Sequence, residues 1–354
     1  GFTRSLLVVS DSLIYTGSDL DFGVWEKNSY GSFEYRSLYP FRDDLAELSE
    51  EFWEVHRIGG NTLFVSDFNI YVYRDETLTK ISAPDEFAGS YSLNGSLFFA
   101  DRSNGLYRLD DFTLQPIAAL PDEPEFEITG MYEYDDGIVM ATYSSGLYLY
   151  SSAGVTPVEN QLSQDLRAAG VFSFDRIGES YLVFGTVQRG LQITDLDGNV
   201  IHFMNRNKGL PNNTILSIHY SPAGQLWLGM DYGISSIQLQ DNITYIYDYS
   251  GDFGTGYTSL LKNGDLYLGT NKGLFRTAWE QLNNNSETFE FELIPGSEGQ
   301  VWTLENIDSN LLMGHDRGLF VVSGNKLERV GSERGFWTLV PFRDVLLGGT
   351  YNGI

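Results

Sequence analysis

Cysteine is missing from this sequence of 354 residues. Its absence excludes disulfide bonds, thiolate nucleophiles and sulfur-ligated metal sites. Proline is sparse, with 10 residues, and histidine sparser, with four. No apolar run approaches the roughly 20 residues that a membrane-spanning helix needs. The lack of cysteine fits a bacterial periplasmic or surface protein but does not by itself assign a compartment.

Positive charge is also scarce. The chain has 22 lysines and arginines against 48 aspartates and glutamates, a formal net charge of −26. Such a chain repels the phosphates of nucleic acids and the anionic surface of a membrane, so neither is an expected partner. The preferred explanation of the negative charge is that it keeps a large, sheet-rich surface soluble. The alternative explanations are a cationic partner and bound divalent ions.

Glycine and aromatic residues are abundant by contrast. There are 38 glycines, 22 tyrosines and 23 phenylalanines, and 42% of the chain is hydrophobic. Glycine permits tight turns, and aromatic side chains favour the half-buried surfaces of sheets. The composition therefore predicts a folded protein with many short strands.

One phrase recurs along the chain. Its clearest copy is Gly224-Gln225-Leu226-Trp227-Leu228-Gly229-Met230-Asp231-Tyr232-Gly233-Ile234, and related copies occupy residues 264–275, 310–320 and 345–354. Looser copies fill the first half. The second glycine, or the residue in its place, falls at positions 23, 69, 105, 146, 190, 233, 273, 318 and 353. Spacings of 35–46 residues cluster near the ~40–45 residues of a four-stranded propeller blade.

Each repeat reads as four strands. An alternating strand such as Ile215–Tyr220 precedes an apolar one at Leu226–Leu228, the glycine phrase makes a turn, and a strand such as Leu319–Val322 follows. A turn such as Asp197-Gly198-Asn199 leads to the fourth strand. Helical patterns are almost missing, and only residues 43–51 and 278–283 look briefly helical.

The fold class predicted is therefore all-β, a β-propeller built of four-stranded blades. Seven blades of about 41 residues would need roughly 290 residues. This chain has nine markers in 354 residues, which is more than one seven-bladed ring requires. One larger ring is an alternative, but the last copy ends within a blade. We therefore expect a seven-bladed ring over residues 1–250 that runs into the opening blades of a second propeller over residues 251–354, in a chain that is part of a longer protein.

A family resemblance accompanies the clearest repeat. Asn207-Lys208-Gly209-Leu210-Pro211-Asn212-Asn213-Thr214-Ile215, followed by Gly224–Ile234, resembles the two-component regulator propeller repeat. The family pattern is an Asn-Gly-Leu-Pro-x-Asn turn, an inner strand and Gly-x-Leu-Trp-Leu-Gly-x-x-x-Gly-Ile. Lys208 departs from it by separating Asn207 from Gly209. Elsewhere only the skeleton Leu-x-x-Gly-x-x-x-Gly-Leu is kept.

The resemblance implies a sensor. Proteins of this family in gut Bacteroidetes carry two tandem seven-bladed propellers and a small β-sandwich outside the inner membrane. A transmembrane helix then leads to a histidine kinase or to a helix-turn-helix regulator of the LuxR type. Residues 19–25 and 52–58 look more like the second type. In the family arrangement this chain would lack the first blade of the first ring, and the second ring would begin near Gly254.

Metal sites have little support in the sequence. The histidines His56, His202, His219 and His315 are scattered, without zinc-binding spacing, and His56 and His219 share a strand position that favours a structural role. The segment 195–199 superficially resembles a calcium loop but lacks the later acidic ligand, so a hairpin turn explains it better. No cofactor is expected.

Enzymatic chemistry is weakly indicated. Paired carboxylates could serve a glycosidase. The acidic pairs lie in predicted turns or insertions, where solvated charge is the ordinary state; they are Asp43-Asp44, Glu50-Glu51, residues 123–127 and Asp135-Asp136. No serine elbow or phosphate loop is found. The chain is expected not to be an enzyme, and a carbohydrate-active propeller enzyme is the alternative.

Three tryptophans, Trp53, Trp302 and Trp337, occupy the same position in their repeats, where the clearest repeat has Leu216. They could ring a channel and stack against sugars, or they could pack between neighbouring blades, and the leucine favours packing.

The other candidate ligand contacts lie in loops and turns; they are Asn212, Asn213, Asp231, Tyr232, Asn271, Lys272, Asp316 and Arg317. By resemblance, the expected partner is an oligosaccharide or other small ligand, bound in the periplasm by a homodimeric regulator. A protein-interaction scaffold stays open beside it.

Overall fold

The computed structural model describes residues 2–40, 50–103, 105–123, 126–135, 137–239, 246, 248, 251–282 and 290–354. Within these residues the chain forms nine antiparallel sheets, of which seven have four strands, one has three and one has two. In every sheet the strands follow one another in sequence order. This up-and-down order, repeated along the chain, is the blade pattern that the repeat predicted.

The first five sheets are assigned as follows. Sheet 1 has β1 (Thr3–Ser10), β2 (Leu13–Ser18), β3 (Asp21–Lys27) and β4 (Phe33–Ser37). Sheet 2 has β5 (Phe52–Ile58), β6 (Asn61–Ser66), β7 (Asn69–Arg74) and β8 (Thr77–Ser82). Sheet 3 has β9 (Phe87–Leu93), β10 (Ser96–Asp101), β11 (Gly105–Asp110) and β12 (Thr113–Ala119). Sheet 4 has β13 (Ile128–Tyr134), β14 (Gly137–Thr142), β15 (Leu147–Ser151) and β16 (Gly154–Pro157). Sheet 5 has β17 (Val171–Ile177), β18 (Tyr181–Thr186), β19 (Leu191–Asp195) and β20 (Val200–Met204).

The remaining sheets complete the described chain. Sheet 6 has β21 (Ile215–Tyr220), β22 (Gln225–Met230) and β23 (Ile234–Gln238). Sheet 7 has β24 (Gly256–Lys262), β25 (Asp265–Thr270), β26 (Leu274–Ala278) and β27 (Glu292–Leu293). Sheet 8 has β28 (Val301–Ile307), β29 (Asn310–His315), β30 (Gly318–Ser323) and β31 (Lys326–Val330). Sheet 9 has β32 (Thr338–Phe342) and β33 (Val345–Gly349).

The nine marker positions, eight glycines and Asn69, identify the nine sheets. Positions 69, 105 and 318 begin the third strand of their sheets, and positions 146, 190, 233 and 273 immediately precede it. Position 23 lies inside β3, and Gly353 forms an isolated bridge with Thr350 after β33. Six of the eight marker glycines adopt positive φ, for example 85° at Gly146 and 87° at Gly233. The predicted strand order and turn are therefore confirmed.

The glycine four residues before the marker, for example Gly269 or Gly314, has a different function, which is to allow close packing. A Cβ atom on Gly269 would lie 2.6 Å from the Val301 side chain, and one on Gly314 would lie 2.6 Å from the Phe336 carbonyl oxygen. Val301 begins the first strand of sheet 8, and Phe336 lies two residues before the first strand of sheet 9. Glycine is needed at this point because the next sheet approaches the backbone too closely for a side chain.

The chain divides into two compact units. Unit 1 comprises Gly1–Gln188 with Ile215–Ile218, and unit 2 comprises Arg189–Thr214 with His219–Ile354. In each unit, successive sheets bury apolar faces against one another. In unit 1 the side chains of Phe22, Phe52, Phe64 and Tyr71 join sheets 1 and 2. In unit 2 a cluster that includes Leu274, Val301 and Met313 joins sheets 7 and 8. The predicted domain boundary near residue 250 stays a prediction.

Helices differ from the expectation. An α-helix that the sequence analysis missed, α1, covers Gln161–Ala169. The Asn160 side chain caps it by accepting a hydrogen bond from the Ser163 N–H, and Gly170 ends it at φ 69°. The expected helix at 278–283 is instead the end of β26 followed by a 3₁₀ turn at Trp279–Leu282, and Asn283 lies outside the described residues. The expected helix at 43–51 lies largely outside them too, and Glu51 forms an isolated bridge with Asp19.

Candidate functional site

A β-bulge occurs at the same point of the first strand in seven sheets. One residue near the start of that strand has no partner on the second strand, as Trp302 shows between the pairs Val301↔His315 and Thr303↔Gly314. The bulge residues are Arg4, Trp53, Ala88, Thr129, Phe172, Tyr257 and Trp302. In sheet 9, Trp337 immediately precedes β32, and its N–H bonds to the Gly349 carbonyl at 2.9 Å. A bulge re-aims a side chain, and bulges are frequent beside functional sites.

The residue before the bulge and the bulge residue differ in burial. The residue before it is buried in several sheets, as at Phe52, Val171 and Val301, where no side-chain surface is exposed. The bulge residue itself is exposed to 46% at Trp53 and 47% at Phe172. Large aromatic side chains thus reach the surface from a position that the core does not require to be aromatic. This arrangement makes the bulge row the candidate ligand-binding surface.

In unit 2 the bulge residues Tyr257 and Trp302 form a continuous stack with Trp337, the residue that precedes β32, and this stack is here called the aromatic row. The rings of Tyr257 and Trp302 are 5.0 Å apart at 24°, and those of Trp302 and Trp337 are 4.1 Å apart at 18°. The Tyr351 ring meets Trp337 edge to face at 5.7 Å. Tyr257 and Trp337 stay 43% and 48% exposed.

The stack covers some ring surfaces and leaves others open. Both faces of the Trp302 ring are covered by its neighbours, so Trp302 packs between sheets, as one of the two interpretations of these tryptophans proposed. Its Nε1–H is buried and has no hydrogen-bond partner among the described residues. The outer face of Tyr257 and the exposed part of Trp337 are the surfaces against which a ligand could stack.

In unit 1 the same position carries mixed chemistry. The Arg4 guanidinium lies 4.5 Å above the Trp53 ring and pairs with Asp19 at 2.8 Å and with Glu51 at 3.0 Å. The Phe172 ring meets Tyr143 edge to face at 6.5 Å. The two consecutive bulge residues Ala88 and Thr129 are small. Among the bulge residues described here, an uninterrupted aromatic stack occurs in unit 2 only.

The predicted polar contacts of the glycine phrase lie in the turns between second and third strands. These turns stand at the same end of each sheet as the bulge, because the bulge pairs with the last residues of the second strand. Asp231 and Tyr232 occupy the turn of sheet 6, Asn271 and Lys272 that of sheet 7, and Asp316 and Arg317 that of sheet 8. In sheets 7 and 8, the structure thus places these pairs at the sheet end that carries Tyr257 and Trp302.

Several of these polar side chains bind the backbone. Asn271 Oδ1 accepts a hydrogen bond from the Thr255 N–H at 2.8 Å, and Lys272 Nζ donates to the Gly251 carbonyl. Arg317 donates to the carbonyls of Gly296 and Glu298 at 2.8 and 2.5 Å. Tyr232 is 81% exposed. Asn271, Lys272 and Arg317 therefore stabilise turns, and a direct role of the turn residues in ligand binding stays a prediction.

Asn212 and Asn213 belong to the turn that carries the family resemblance. Asn213 Oδ1 accepts from the Arg206 N–H at 2.8 Å, and Asn212 Oδ1 accepts from the Thr214 N–H at 3.0 Å. Asn212 also donates to the Tyr232 carbonyl at 3.3 Å. The motif thus organises the approach to sheet 6 through side chain-to-backbone hydrogen bonds.

A buried polar residue ends the second strand in many sheets. In unit 1 the Thr142 hydroxyl donates to the Gly146 carbonyl at 2.7 Å and accepts from the Ser145 N–H at 3.0 Å. In unit 2 the Thr270 hydroxyl makes the same pair of bonds with Gly273 and Lys272, both at 3.0 Å. This cap was not predicted from the sequence, although Ser, Thr, Asp or His precedes the turn in almost every repeat. It closes the turn that presents the polar candidates.

His315 takes the capping position in sheet 8 and is completely buried. Its Nδ1 accepts from the Arg317 N–H at 2.9 Å, so Nε2 carries the proton and bonds to the Ser297 carbonyl at 3.2 Å. The Asp316 carboxylate contacts Nδ1 but receives no hydrogen there in this tautomer. Burial lowers the pKa of His315, and the Asp316 charge opposes that shift.

Glu50 corrects the expectation that the acidic pairs are solvated. Its side chain lies in unit 1 and the residue is 2% exposed. The carboxylate accepts hydrogen bonds from the hydroxyls of Tyr39 and Tyr71, at 3.0 and 2.9 Å, and from Ser66 and Asn69. Burial and the neighbouring Glu50 charge raise the pKa of Tyr39 to about 12. A buried carboxylate is stable here because four donors replace its water.

The other acidic residues behave differently. Glu123 and Glu127 are exposed, and Asp135 lies in a turn at φ 48°, whereas residues 43–44, 124–125 and 136 lie outside the described residues. Trp227 is 42% exposed, whereas its neighbours Leu226 and Leu228 in β22 are buried.

Metal ligation finds no geometric support within the described residues, where no group of three or more His, Cys, Asp or Glu side chains could hold an ion. Asp195 closes the β19–β20 hairpin by accepting from the Asn199 N–H at 2.8 Å, as the hairpin interpretation predicted. Its pKa is lowered chiefly by the bond from Asn199. His56 contacts Ser90 and Glu54 at 2.7 and 3.2 Å, which fits a structural role.

No family model matches this sequence, and no curated protein matches it significantly. Solved structures do resemble the fold. An extracellular domain assigned to a one component system of B. thetaiotaomicron is 16% identical, with a TM-score of 0.50 over 98% of this chain and 50% of that one. Another, assigned to a hybrid two component system of the same organism, is 14% identical, with a TM-score of 0.49 over 99% and 56%. Virginiamycin B lyase from Staphylococcus aureus is 12% identical, with a TM-score of 0.50 over 75% and 90%.

These likenesses concern the fold. The predicted fold class, an all-β protein of propeller blades, is confirmed, and the neighbours include extracellular domains of Bacteroides regulators, as the resemblance implied. The chain spans about half the length of the first of them. Among the described residues no helix is long and apolar enough to cross a membrane. The number of blades in a ring stays a prediction.

Proposed function

We propose that this chain is an extracytoplasmic ligand-binding region of a membrane-bound regulator of the two-component type, located in the periplasm. The observation that carries the proposal is the fold similarity over 98% of the chain to an extracellular domain assigned to a one component system. The Asn207–Ile215 turn and the Gly224–Ile234 phrase add the resemblance to the regulator repeat. Binding in such a protein shifts the population of a dimer's arrangements, and no reaction is required.

The proposed ligand is an oligosaccharide, bound at the aromatic row. Aromatic side chains offer large, rigid contact surface to the C–H faces of sugar rings. Tyr257 and Trp337 are 43% and 48% exposed although their backbone position does not require an aromatic residue. Turn residues at the same sheet end, such as Asn271 and Arg317, would supply hydrogen bonds to hydroxyl groups.

The test is a thermal-shift and calorimetric screen of the full chain against neutral oligosaccharides. A true ligand raises the melting temperature with concentration. Trp337→Ala should weaken binding about tenfold or more, since a stacked aromatic contact contributes on the order of 1–2 kcal/mol. The control is Trp279→Ala, because Trp279 is 49% exposed but lies outside the bulge row. Equal losses in both variants, or no loss, would contradict the role of the aromatic row.

An enzyme is the second candidate function, because virginiamycin B lyase is among the proteins of similar fold. A carbohydrate-active propeller enzyme is the form of it that the sequence leaves open. Incubation of the oligosaccharide with the protein followed by chromatography distinguishes the two. Recovery of intact oligosaccharide supports sensing, whereas cleavage products would replace the sensing proposal with catalysis. Sedimentation of the protein with and without the ligand tests the proposed homodimer, whose association or shape should change on binding.

A further inference from the structure

A gap in the bulge row of unit 1 carries an inference beyond the aromatic row. Trp53 and Phe172 are large and half exposed, but the two bulge residues between them are Ala88 and Thr129. The Thr129 hydroxyl turns to the Ala141 carbonyl at 3.3 Å. Neither side chain fills the space that a tryptophan fills in sheet 2.

A cavity lies where the row is interrupted. It has a volume of about 450 Å³ and is lined by Ala88 itself. This volume falls within the ~300–1,000 Å³ range of small-molecule sites. Its apolar wall is made by Ala88, Ala100, Leu120 and Phe126 of one hydrophobic cluster. The Phe126 ring is fixed edge to face against Tyr148 at 5.0 Å.

The polar wall carries both signs of charge. Arg102 bonds to Glu86 through Nε at 2.5 Å. Glu123 accepts from the Tyr148 hydroxyl with one oxygen at 2.8 Å. Glu127 makes no side-chain hydrogen bond to the described residues, and Asp101 is 2% exposed and caps its turn through the Ser103 N–H at 3.0 Å. Three carboxylates against one guanidinium leave the cavity negative.

We propose that this cavity binds a pyranose ring without acidic groups and prefers one that bears an amine. The apolar wall and Phe126 suit the C–H face of such a ring, and carboxylates and guanidinium accept from and donate to its hydroxyls. The excess negative charge attracts an ammonium group and repels a uronate or a sulfate. The proposal rests on the proposed function, because it gives the saccharide a second contact site with its own charge preference.

The probes are glucosamine, glucose and glucuronate, each titrated into the full chain and followed by saturation-transfer NMR. Glucosamine should bind best and glucuronate worst. Ala88→Trp places the sheet 2 bulge residue in the gap and should weaken glucosamine binding about tenfold or more by filling the cavity. Binding of glucuronate equal to that of glucosamine, or binding unchanged in folded Ala88→Trp, would overturn the proposal.

A second variant covers the case in which Ala88→Trp fails to fold. Glu127 is exposed, so Glu127→Gln should fold normally and reduce the preference for glucosamine over glucose about threefold or more by removing one unit charge. An unchanged preference counts against the cavity. Trp337→Ala should leave glucosamine binding intact. If glucosamine fails to bind while the oligosaccharide still binds in a Trp337-dependent way, the cavity proposal falls and the proposed function stands.

Discussion

The bulge residues of the two units share one backbone device and differ in chemistry. In unit 2 the rings of Tyr257, Trp302 and Trp337 stack on one another. In unit 1 the row holds an arginine–tryptophan pair, a gap at Ala88 and Thr129, and an exposed Phe172. The bulge recurs in both units because it is a feature of the backbone register, and its side chain is therefore free to vary.

The sheets are also joined differently. In unit 1 the buried Glu50 carboxylate binds hydroxyls from both sides of the sheet 1–sheet 2 packing, Tyr39 and Tyr71. In unit 2, sheets 7, 8 and 9 are joined at the bulge by the aromatic row and beneath it by aliphatic residues. Hydrogen-bonded junctions depend on every partner, whereas apolar junctions lose stability in proportion to the contact removed.

The largest effect should follow from removing the unit 1 junction. Glu50→Ala removes the buried carboxylate that accepts from four side chains and should lower the free energy of unfolding by about 3 kcal/mol. Urea unfolding followed by tryptophan fluorescence measures it. Glu51→Ala is the matched control, because Glu51 makes only a surface pair with Arg4 and should cost about 0.5 kcal/mol or less. Similar costs for the two variants would remove the distinction between the junctions.

A smaller effect is expected for the unit 2 junction. Trp302→Ala removes two stacked contacts and the partly buried indole and should cost about 2 kcal/mol. Phe172→Ala, at the same bulge position in unit 1, should cost about 1 kcal/mol or less, because that ring is 47% exposed and unstacked. Thermal unfolding of both variants makes the comparison. A greater loss of stability in Phe172→Ala than in Trp302→Ala would show that the exposure of a bulge side chain does not indicate how much its packing stabilises the fold.

The smallest effect concerns the turn caps, where unit 2 has His315 and unit 1 has Thr142. The pKa of buried His315 is lowered from its ordinary value of 6.5. As the pH falls below 6.5, the unfolded chain therefore binds the proton first, and stability present above that pH is lost on acidification.

His315→Thr, which copies Thr270, should flatten the dependence of the melting temperature on pH between about 7 and 5. Part of the pH dependence should remain in this variant, because burial also lowers the pKa of His202. A steeper dependence in the variant would assign the opposite sign to His315.

Much of the fold could be predicted from the sequence because glycines recur at fixed positions in each repeat. A position with positive φ, such as Gly233, and one without room for a Cβ, such as Gly269, both select glycine whatever the surroundings. The nine markers therefore located nine sheets. Helix α1 was not predicted although Asn160 and Gly170 carry ordinary capping signals, because it is an insertion between sheets 4 and 5 that the glycine repeat does not mark.

The candidate site was predictable only in part. The shared position of Trp53, Trp302 and Trp337 was visible in the sequence because the chain has only 6 tryptophans. Tyr257 and Phe172 occupy the same bulge position but were not predicted there, since tyrosine and phenylalanine occur throughout the chain. The burial of Glu50 was also hidden, since its partners Tyr39 and Tyr71 lie 11 and 21 residues away along the chain.

The sequence by itself determined the strand order, the turns and the repeat, because these follow from local backbone requirements. Only the tertiary structure decided which side chains meet: the stack of the aromatic row, the gap at Ala88 and the buried carboxylate of Glu50. Such contacts join residues of different sheets, and their energies depend on distance and burial, which spacing along a chain does not specify.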